Sequence, residues 1–144
     1  MNITRETDYA VRCVLYLSMN PQTVTVVEDI AREMEIPKSF LAKILQKLVK
    51  AGIVKSSRGV KGGFRLGGEP SEVNLLTVIE AIQGPLCLNI CVLDSDSCSR
   101  SSFCSVHPVW VEIQRGIENK LRHYTFGRFS KEETTTRNRR SETS

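Results

Sequence analysis

The chain has 144 residues, 40% of them hydrophobic, and carries 20 Lys or Arg against 16 Asp or Glu. This length suits one domain, or a small domain with an additional interaction helix. No apolar run approaches the roughly 18–20 residues that span a membrane, and the N-terminus lacks the basic-then-apolar pattern of a secretion signal. The composition therefore argues against a membrane protein and predicts a cytoplasmic location.

Basic residues are concentrated in one part of the chain. Eight of the 20 Lys and Arg lie within residues 36–68, which contain no Asp or Glu, whereas the rest of the chain has more acidic than basic residues. A charge block this one-sided favours a polyanionic partner.

Apolar spacing predicts three helices in the N-terminal part. The first covers about residues 4–19 and places Cys13 on its apolar stripe, so we interpret Cys13 as a core thiol and not as a ligand. The second begins at Thr25, because Thr25 and Glu28 have the spacing of a capping box. The third begins at Pro37, which suits a first helical position.

The third helix carries a basic stripe formed by Lys43, Lys47 and Lys50. Two short helices joined by a tight turn are typical of a helix-turn-helix, although a solvated helix face would give the same stripe. A β-hairpin with a Gly-rich turn at residues 59–63 is predicted next, with Arg58 and Lys61 at its tip. Such a hairpin is typical of the wing of a winged helix, where an Arg can enter a narrow minor groove. Together these features favour DNA binding.

A linking helix and a cysteine-rich loop follow. Asn74 is the predicted N-cap of the helix, which ends at Gly84. The loop contains Cys91, Cys98, Cys104 and, three residues further on, His107. An odd count of five cysteines in a cytosolic chain argues against structural disulfides. Three thiolates and one imidazole instead suit zinc or an iron–sulfur cluster. The gaps of six and five residues between the cysteines favour the iron–sulfur cluster, of two or four irons, over zinc.

A last helix is predicted from Pro108 to about Phe126. Its apolar ladder consists of Val109, Ile113, Ile117, Leu121 and Tyr124. Because no later element can cover this ladder, we predict a dimer interface; packing on its own domain is the alternative. The residues from Ser130 contain no apolar side chain, which predicts a disordered tail.

The predicted fold class is mostly α with a small β-hairpin wing, a winged helix-turn-helix followed by a long C-terminal dimerisation helix. The predicted regions are residues 1–68 for DNA binding, 69–107 for the linking helix and cluster loop, 108–129 for dimerisation and 130–144 for the tail.

These segments resemble the Rrf-two (Rrf2) family of bacterial transcription regulators, which includes the iron–sulfur regulator IscR and the nitric-oxide sensor NsrR. The matching stretches are residues 7–12, 39–41 and 58–67 and the set Cys91, Cys98 and Cys104. The resemblance implies a homodimer whose cluster state sets its affinity for double-stranded promoter DNA. It places recognition contacts at Ser39 and its neighbours and a minor-groove contact at Arg58. Ala42 and Lys43 stand where IscR-like members carry Glu and Gln, so the operator sequence does not carry over.

The resemblance offers two candidates for the fourth cluster ligand. IscR-like members use a His placed as His107 is, whereas NsrR-like members use an Asp of the partner subunit, placed as Asp8 is. Asp8 could instead pair with Arg12 one turn on, and His107 could be a helix-end residue. Cys87 could replace Cys91 if the loop shifts its register.

The predicted DNA contacts are Lys38, Ser39, Phe40, Lys43, Lys47, Arg58, Lys61 and Arg65. The predicted function is a dimeric DNA-binding transcriptional regulator whose cluster senses redox state, nitric oxide or iron supply. The alternative is a winged-helix repressor with structural zinc or thiol-based redox sensing and no iron–sulfur cluster. An enzyme is not predicted, because no nucleophile and base accompany the cluster ligands and the two His are His107 and His123.

Overall fold

The computed structural model describes residues 1–143, which form seven α-helices and one antiparallel hairpin of two strands. The elements are α1 (Arg5–Met19), α2 (Val27–Met34), α3 (Lys38–Lys50), β1 (Val54–Ser57), β2 (Gly63–Leu66), α4 (Leu75–Gln83), α5 (Ile90–Leu93), α6 (His107–His123) and α7 (Phe126–Thr143). Two 3₁₀ turns lie at Pro70–Glu72 and Ser95–Ser97. Within residues 1–143, no helix combines the length and apolar character that a membrane crossing requires.

The main core lies between α1, α2 and α3. The apolar stripe of α1, including Cys13, is buried against Ile30 of α2 and one face of α3, which confirms the prediction of a core thiol. The buried positions on α3 are Leu41, Ile44, Leu45 and Leu48. Their spacing of three and four residues keeps one face of α3 in the core and leaves the opposite edge in solvent.

The start of α2 differs from the prediction. The N-cap is Val26 and no side chain caps the helix, so the predicted capping box of Thr25 and Glu28 is wrong. The backbone N–H and C=O of Thr25 instead bond to those of Phe64 at 2.8 Å each, as a bridge to the hairpin. The Glu28 carboxylate is engaged by Lys38 of α3. Tertiary pairing therefore overrides the local cap.

The hairpin has the form predicted for a wing. Val54 of β1 lies opposite Leu66 of β2, and both side chains are buried in the main core. The base of the hairpin is thereby fixed while its turn projects into solvent. Gly59 in the turn has a φ of 100°, a conformation that L side chains rarely adopt.

α4 connects the N-terminal and C-terminal parts of the molecule. Asn74 is its N-cap as predicted, and its side-chain oxygen accepts from the N–H of Thr77 at 3.0 Å. Val78 and Ile82 enter the main core. A second, smaller core contains Leu76, Ile79 and Leu86, with Ile117 and Leu121 of α6 packed against it. α4 therefore touches both the main core of α1 and α3 and the C-terminal helix α6.

The C-terminal part departs most from the prediction. The helix predicted from Pro108 to about Phe126 ends at His123, and a separate helix, α7, begins at Phe126. The tail predicted as disordered is helical from residue 130 to 143, and its last residue, Ser144, lies outside the described residues.

Two features stabilise α7 although it has no apolar residue after Phe129. Phe126 is fully buried in the main core and joins the start of α7 to α1. Two ion pairs span one turn each further along, Arg128–Glu132 and Glu133–Arg137. The prediction of a disordered tail rested on the missing apolar residues and did not consider the buried Phe126 or the two ion pairs.

Candidate nucleic-acid interface and metal centre

Basic side chains lie exposed along α3 and at the tip of the hairpin. Of the predicted DNA contacts, those that are exposed are Lys38, Ser39, Phe40, Lys43, Lys47, Arg58 and Lys61. Arg65 is half-buried on β2, where its guanidinium donates to the carbonyl of Leu66 at 3.4 Å. The structure thus presents seven of the eight predicted residues to solvent, and their contact with DNA remains a prediction.

An aromatic contact sets the start of α3 against α1. The rings of Tyr9 and Phe40 meet edge to face with centroids 5.9 Å apart. Arg5 and Arg12 lie on this Tyr9 ring, at 5.9 and 5.4 Å from its centroid. Phe40 nevertheless keeps 49% of its surface exposed, so an apolar surface remains available next to the basic edge of α3.

Two lysines of α3 form ion pairs with acidic residues of the preceding helices. Lys38 Nζ lies 2.7 Å from Glu28 Oε1 of α2, and Lys47 Nζ lies 2.7 Å from Glu6 Oε1 of α1. The Lys38 ammonium lowers the pKa of the Glu28 carboxyl below its usual range. Our sequence reasoning missed both pairs, because the partners are ten and 41 residues apart in the chain.

The two ends of the cysteine loop meet at Cys91 and His107. Cys91 is buried on the short helix α5, and His107 is the first residue of α6. Their side chains are in contact, with His107 Nδ1 3.2 Å from Cys91 Sγ. A thiol and an imidazole are therefore held together where the loop enters and leaves.

A buried glutamine holds the start of the loop against α6. The Gln114 side chain accepts from the N–H of Leu88 at 2.9 Å through Oε1, and its amide donates to Glu118 at 3.2 Å. Leu86, two residues before Leu88, is buried in the second core. Our sequence reasoning missed Gln114, because a polar residue on an amphipathic helix is ordinarily assigned to solvent.

The other two predicted ligands lie in the exposed part of the loop. Cys98 is exposed and Cys104 half-buried. In the part of the chain that the structure describes, no three His, Cys, Asp or Glu side chains are close enough to hold one metal ion. An open pocket of about 310 Å³ lies between Cys98 and His107 and is lined mainly by serines.

The donor set nevertheless fits a metal centre in its chemistry. Cys91 and His107 already supply two soft ligands at one place. The backbone N–H groups of His107 and Val106 lower the pKa of the Cys104 thiol below its usual range, which favours the thiolate that binds metal. Cys98 lies on the exposed stretch that borders His107, so the loop would have to fold inwards for this thiol to join.

The remaining candidates are engaged or set apart. Asp8 Oδ2 lies 3.0 Å from Arg12 Nη2, one turn further along α1, so the predicted ion pair is formed. Arg12 also reaches the carbonyl of Met34 at 3.4 Å. Cys87 is half-buried before α5. One oxygen of Asp8 is therefore already engaged by Arg12, and a metal would have to compete with this ion pair or use the other oxygen.

Comparison with known proteins places these features in a family. Residues 3–132 match the family model described as "Rrf2: Iron-dependent Transcriptional regulator". The chain is 33% identical over 133 residues to the HTH-type transcriptional regulator IscR of Vibrio atlanticus, an alignment covering 92% of this chain and 76% of that one.

Solved structures show the same fold. CymR, the global cysteine regulator of B. subtilis, superposes with a TM-score of 0.74 at 22% identity, over 91% of this chain and 97% of that chain. IscR of T. potens gives a TM-score of 0.73 at 23% identity, over 92% and 88% of the two chains. These likenesses confirm the predicted winged-helix fold class, and regulators among the relatives agree with the prediction that the chain is not an enzyme. The chain belongs to the Rrf2 family of transcriptional regulators.

Proposed function

We propose that the chain is a dimeric DNA-binding regulator whose promoter affinity is set by an iron–sulfur cluster held by Cys91, Cys98 and Cys104. The observation that carries this proposal is the contact of Cys91 with His107, because it joins two soft ligands from the two ends of the loop. The family description, which names iron-dependent regulators, supports the choice of iron. A cluster, when bound, would supply a centre that responds to redox state, nitric oxide or iron supply.

His107 is the proposed fourth ligand. It already contacts Cys91, whereas Asp8 is paired with Arg12 at 3.0 Å. Recruiting Asp8 would compete with that ion pair and with the position of Arg12, whose guanidinium also reaches the Met34 carbonyl at the end of α2. His107 therefore needs the smaller rearrangement of the two.

The loop is proposed to act on the DNA-binding region through α4. This helix contributes Val78 and Ile82 to the main core and Leu76 and Ile79 to the core that it shares with α6. Folding Cys98 and Cys104 inwards would reorganise the loop between α5 and α6. Cluster binding would shift the population of loop conformations towards this arrangement. The spacing of two winged helices across a dimer would then change, and with it the fit to two half-sites.

A second copy of the chain is the proposed occupant of the outer part of α6. Ile117 and Leu121 pack on the second core of the same chain, but Val109 and Ile113 keep 47% and 42% of their surface exposed. Apolar residues at this spacing favour burial against another helix.

DNA binding is proposed to use α3 and the hairpin tip. Lys43 on α3 and Lys61 at the tip are exposed and suited to phosphates, and Arg58 beside the Gly59 turn is suited to the minor groove. Ser39 and Phe40 in the first turn of α3 are the proposed base contacts.

Anaerobic purification followed by iron and sulfide analysis and a visible spectrum tests the cofactor. We expect iron, acid-labile sulfide and visible absorption in the wild type, and loss of all three in Cys98→Ala. We expect His107→Ala to bind a less stable cluster and Asp8→Ala to match the wild type. A colourless wild-type protein without iron would contradict the proposal.

DNA binding of the same variants tests the coupling. We expect Cys98→Ala to keep its affinity for non-operator duplex and to lose the dependence of promoter binding on the cluster. Cys87→Ala is the matched control, because it removes a thiol just before α5 that is not among the proposed ligands. If Cys98→Ala and the wild type bound the promoter equally, with the same dependence on the cluster, the proposal that the cluster controls DNA binding would be contradicted.

A thiol-based or zinc-containing regulator is the second candidate. Exposed Cys98 and the lowered pKa of Cys104 favour thiol chemistry in this loop. The anaerobic preparation separates the cases, because zinc is colourless and is found by metal analysis, whereas a thiol sensor would contain neither metal.

A further inference from the structure

We propose that Glu6 and Glu28 are affinity-tuning residues of the DNA surface, which hold Lys47 and Lys38 in ion pairs and so restrain sequence-independent binding to duplex DNA. This inference rests on the proposed role of α3 in DNA binding. It extends that role by assigning a function to two carboxylates that do not belong to α3.

The pairing is selective among the cations of the surface. Lys38 and Lys47 each lie 2.7 Å from a carboxylate oxygen. Among residues 1–143, Lys43, Arg58 and Lys61 form no ion pair. The surface therefore contains two neutralised cations and three whose charge is unopposed by a direct partner.

The carboxylates come from outside the basic block. Residues 36–68 contain no acidic residue, and Glu6 and Glu28 are supplied by α1 and α2, which pack against α3 in the main core. Glu28 belongs to the unformed capping box, and its carboxylate accepts from Lys38 of α3 at 2.7 Å. The fold thus directs two acids towards the helix that carries the lysines.

Both pairs are accessible to solvent and so can exchange with a phosphate. The side chains of Lys38 and Glu28 are 63% and 60% exposed, and those of Lys47 and Glu6 are 44% and 33% exposed. Exposed pairs contribute little to folding. Non-specific DNA binding, in contrast, depends almost wholly on the number of phosphates that the protein neutralises. Each pair therefore affects DNA affinity more than stability.

A salt titration of binding to a labelled duplex of arbitrary sequence tests the inference. We expect Glu28→Gln and Glu6→Gln each to raise affinity by about two- to fivefold. Each should steepen the slope of log affinity against log salt by about 0.9, the value for one additional phosphate contact. Circular dichroism melting should show no loss of fold in either variant.

Asp29→Asn is the matched control for Glu28→Gln. It makes the same change of charge at the next position of α2, but Asp29 pairs with Arg32 of its own helix at 3.0 Å. We expect an affinity change of less than about twofold and an unchanged salt slope, because no lysine of α3 is released. An equal gain in both variants would overturn the inference, since it would reflect general charge.

The double variant Glu28→Gln/Lys38→Met identifies the cation that acts. We expect it to return to wild-type affinity and slope, because the released lysine is absent. Retention of the gain would overturn the inference. If the wild type binds duplex DNA and neither Glu6→Gln nor Glu28→Gln changes the affinity, the inference is overturned but the proposed function is not. If the wild type does not bind DNA at low salt, the inference and the proposed function are both overturned.

Discussion

The winged-helix region and the cysteine loop differ in how far their side chains are assembled. In residues 1–68 the apolar faces of three helices and the base of the hairpin meet in one buried core, and the predicted DNA contacts stand on that rigid base. Among the predicted ligands in residues 87–107, Cys91 and His107 are in contact with each other, while Cys98 lies in solvent. Packing alone positions the first region, whereas it leaves the predicted ligands of the second apart, and we propose that a bound cluster brings them together.

The difference has a physical basis in composition. The loop from residue 94 to 102 consists largely of serine and aspartate, which contribute little apolar surface and favour local turns. The Ser95–Ser97 turn, where Asp94 accepts from the N–H of Asp96 at 3.0 Å, is an example. Such a segment lacks the apolar contacts that would fix one conformation, and we propose that metal binding fixes it instead.

A phenylalanine from each region tests this comparison most strongly. Phe126 is fully buried in the main core, whereas Phe103 in the loop is 69% exposed. We expect Phe126→Ala to lower the free energy of unfolding by about 3–5 kcal/mol and Phe103→Ala by less than about 0.5 kcal/mol. Urea unfolding followed by circular dichroism measures both. Similar losses would show that the loop is as tightly packed as the core.

The cysteines of the two regions should differ widely in reactivity. Burial raises the pKa of the Cys13 thiol from 9.0 to about 12, so at neutral pH its thiolate fraction is roughly a thousandfold lower than that of an ordinary thiol. Cys98 is exposed. We expect a brief iodoacetamide treatment of the native protein to modify Cys98 and leave Cys13 intact, as mass spectrometry of the peptides would detect. Both should react in urea, and equal rates in the native protein would contradict the burial of Cys13.

The same shift predicts a loss of stability in alkali. Folding raises the pKa of Cys13, so the buried neutral thiol makes its full contribution to the free energy of unfolding below pH 9. This contribution declines as the pH rises from about 9 towards 12. The unfolded chain ionises there while the folded chain does not, which destabilises the fold by up to about 4 kcal/mol. Urea unfolding at several pH values measures the decline. Cys13→Ala should show a shallower decline, and identical profiles would argue against the shift.

Sequence reasoning was sufficient where a local signal and the core agree. α1, α3, α4 and the hairpin were predicted from apolar spacing, from Asn74 and from the glycines of the turn, and each has its expected partner in the core. Of the predicted dimer ladder on α6, Ile117 and Leu121 pack against the second core of the same chain, and the dimer contact of the ladder stays a prediction.

Most of the misses have one cause, which is contact between residues distant in sequence; the ion pairs along α7 are local and are the exception. Thr25 pairs with the hairpin instead of capping α2, and α7 is anchored through Phe126 although its later residues are all polar. The pairs of Glu6 and Glu28 with α3 leave no periodic trace. For the candidate site, spacing identified the donors but not their separation in space, because that depends on how the serine-rich loop folds.

Substitution of Arg58 tests whether the winged-helix region, residues 1–68, contacts DNA as proposed. Its side chain is exposed at the tip of the hairpin next to Gly59. We expect Arg58→Ala to weaken binding to an operator selected from random duplexes by about 1–3 kcal/mol, because a groove contact is lost. Arg122→Ala, the same change on α6, is the control and should leave affinity unchanged. Unaltered operator binding by Arg58→Ala would mean that the wing does not enter the groove.

The smallest expected effect on stability concerns two helix caps, of which the one at α4 was predicted correctly and the one at α2 wrongly. The Asn74 side chain accepts from Thr77 N–H at 3.0 Å, whereas Thr25 uses only its backbone, in the bridge to Phe64. We therefore expect Asn74→Ala to lower the free energy of unfolding by about 1 kcal/mol and Thr25→Ala by less than about 0.5 kcal/mol. Urea unfolding measures both. Because α4 bridges the two cores, the Asn74 variant should also loosen the packing of α6. If Thr25→Ala lowered the free energy of unfolding more than Asn74→Ala, the predicted capping box would form after all.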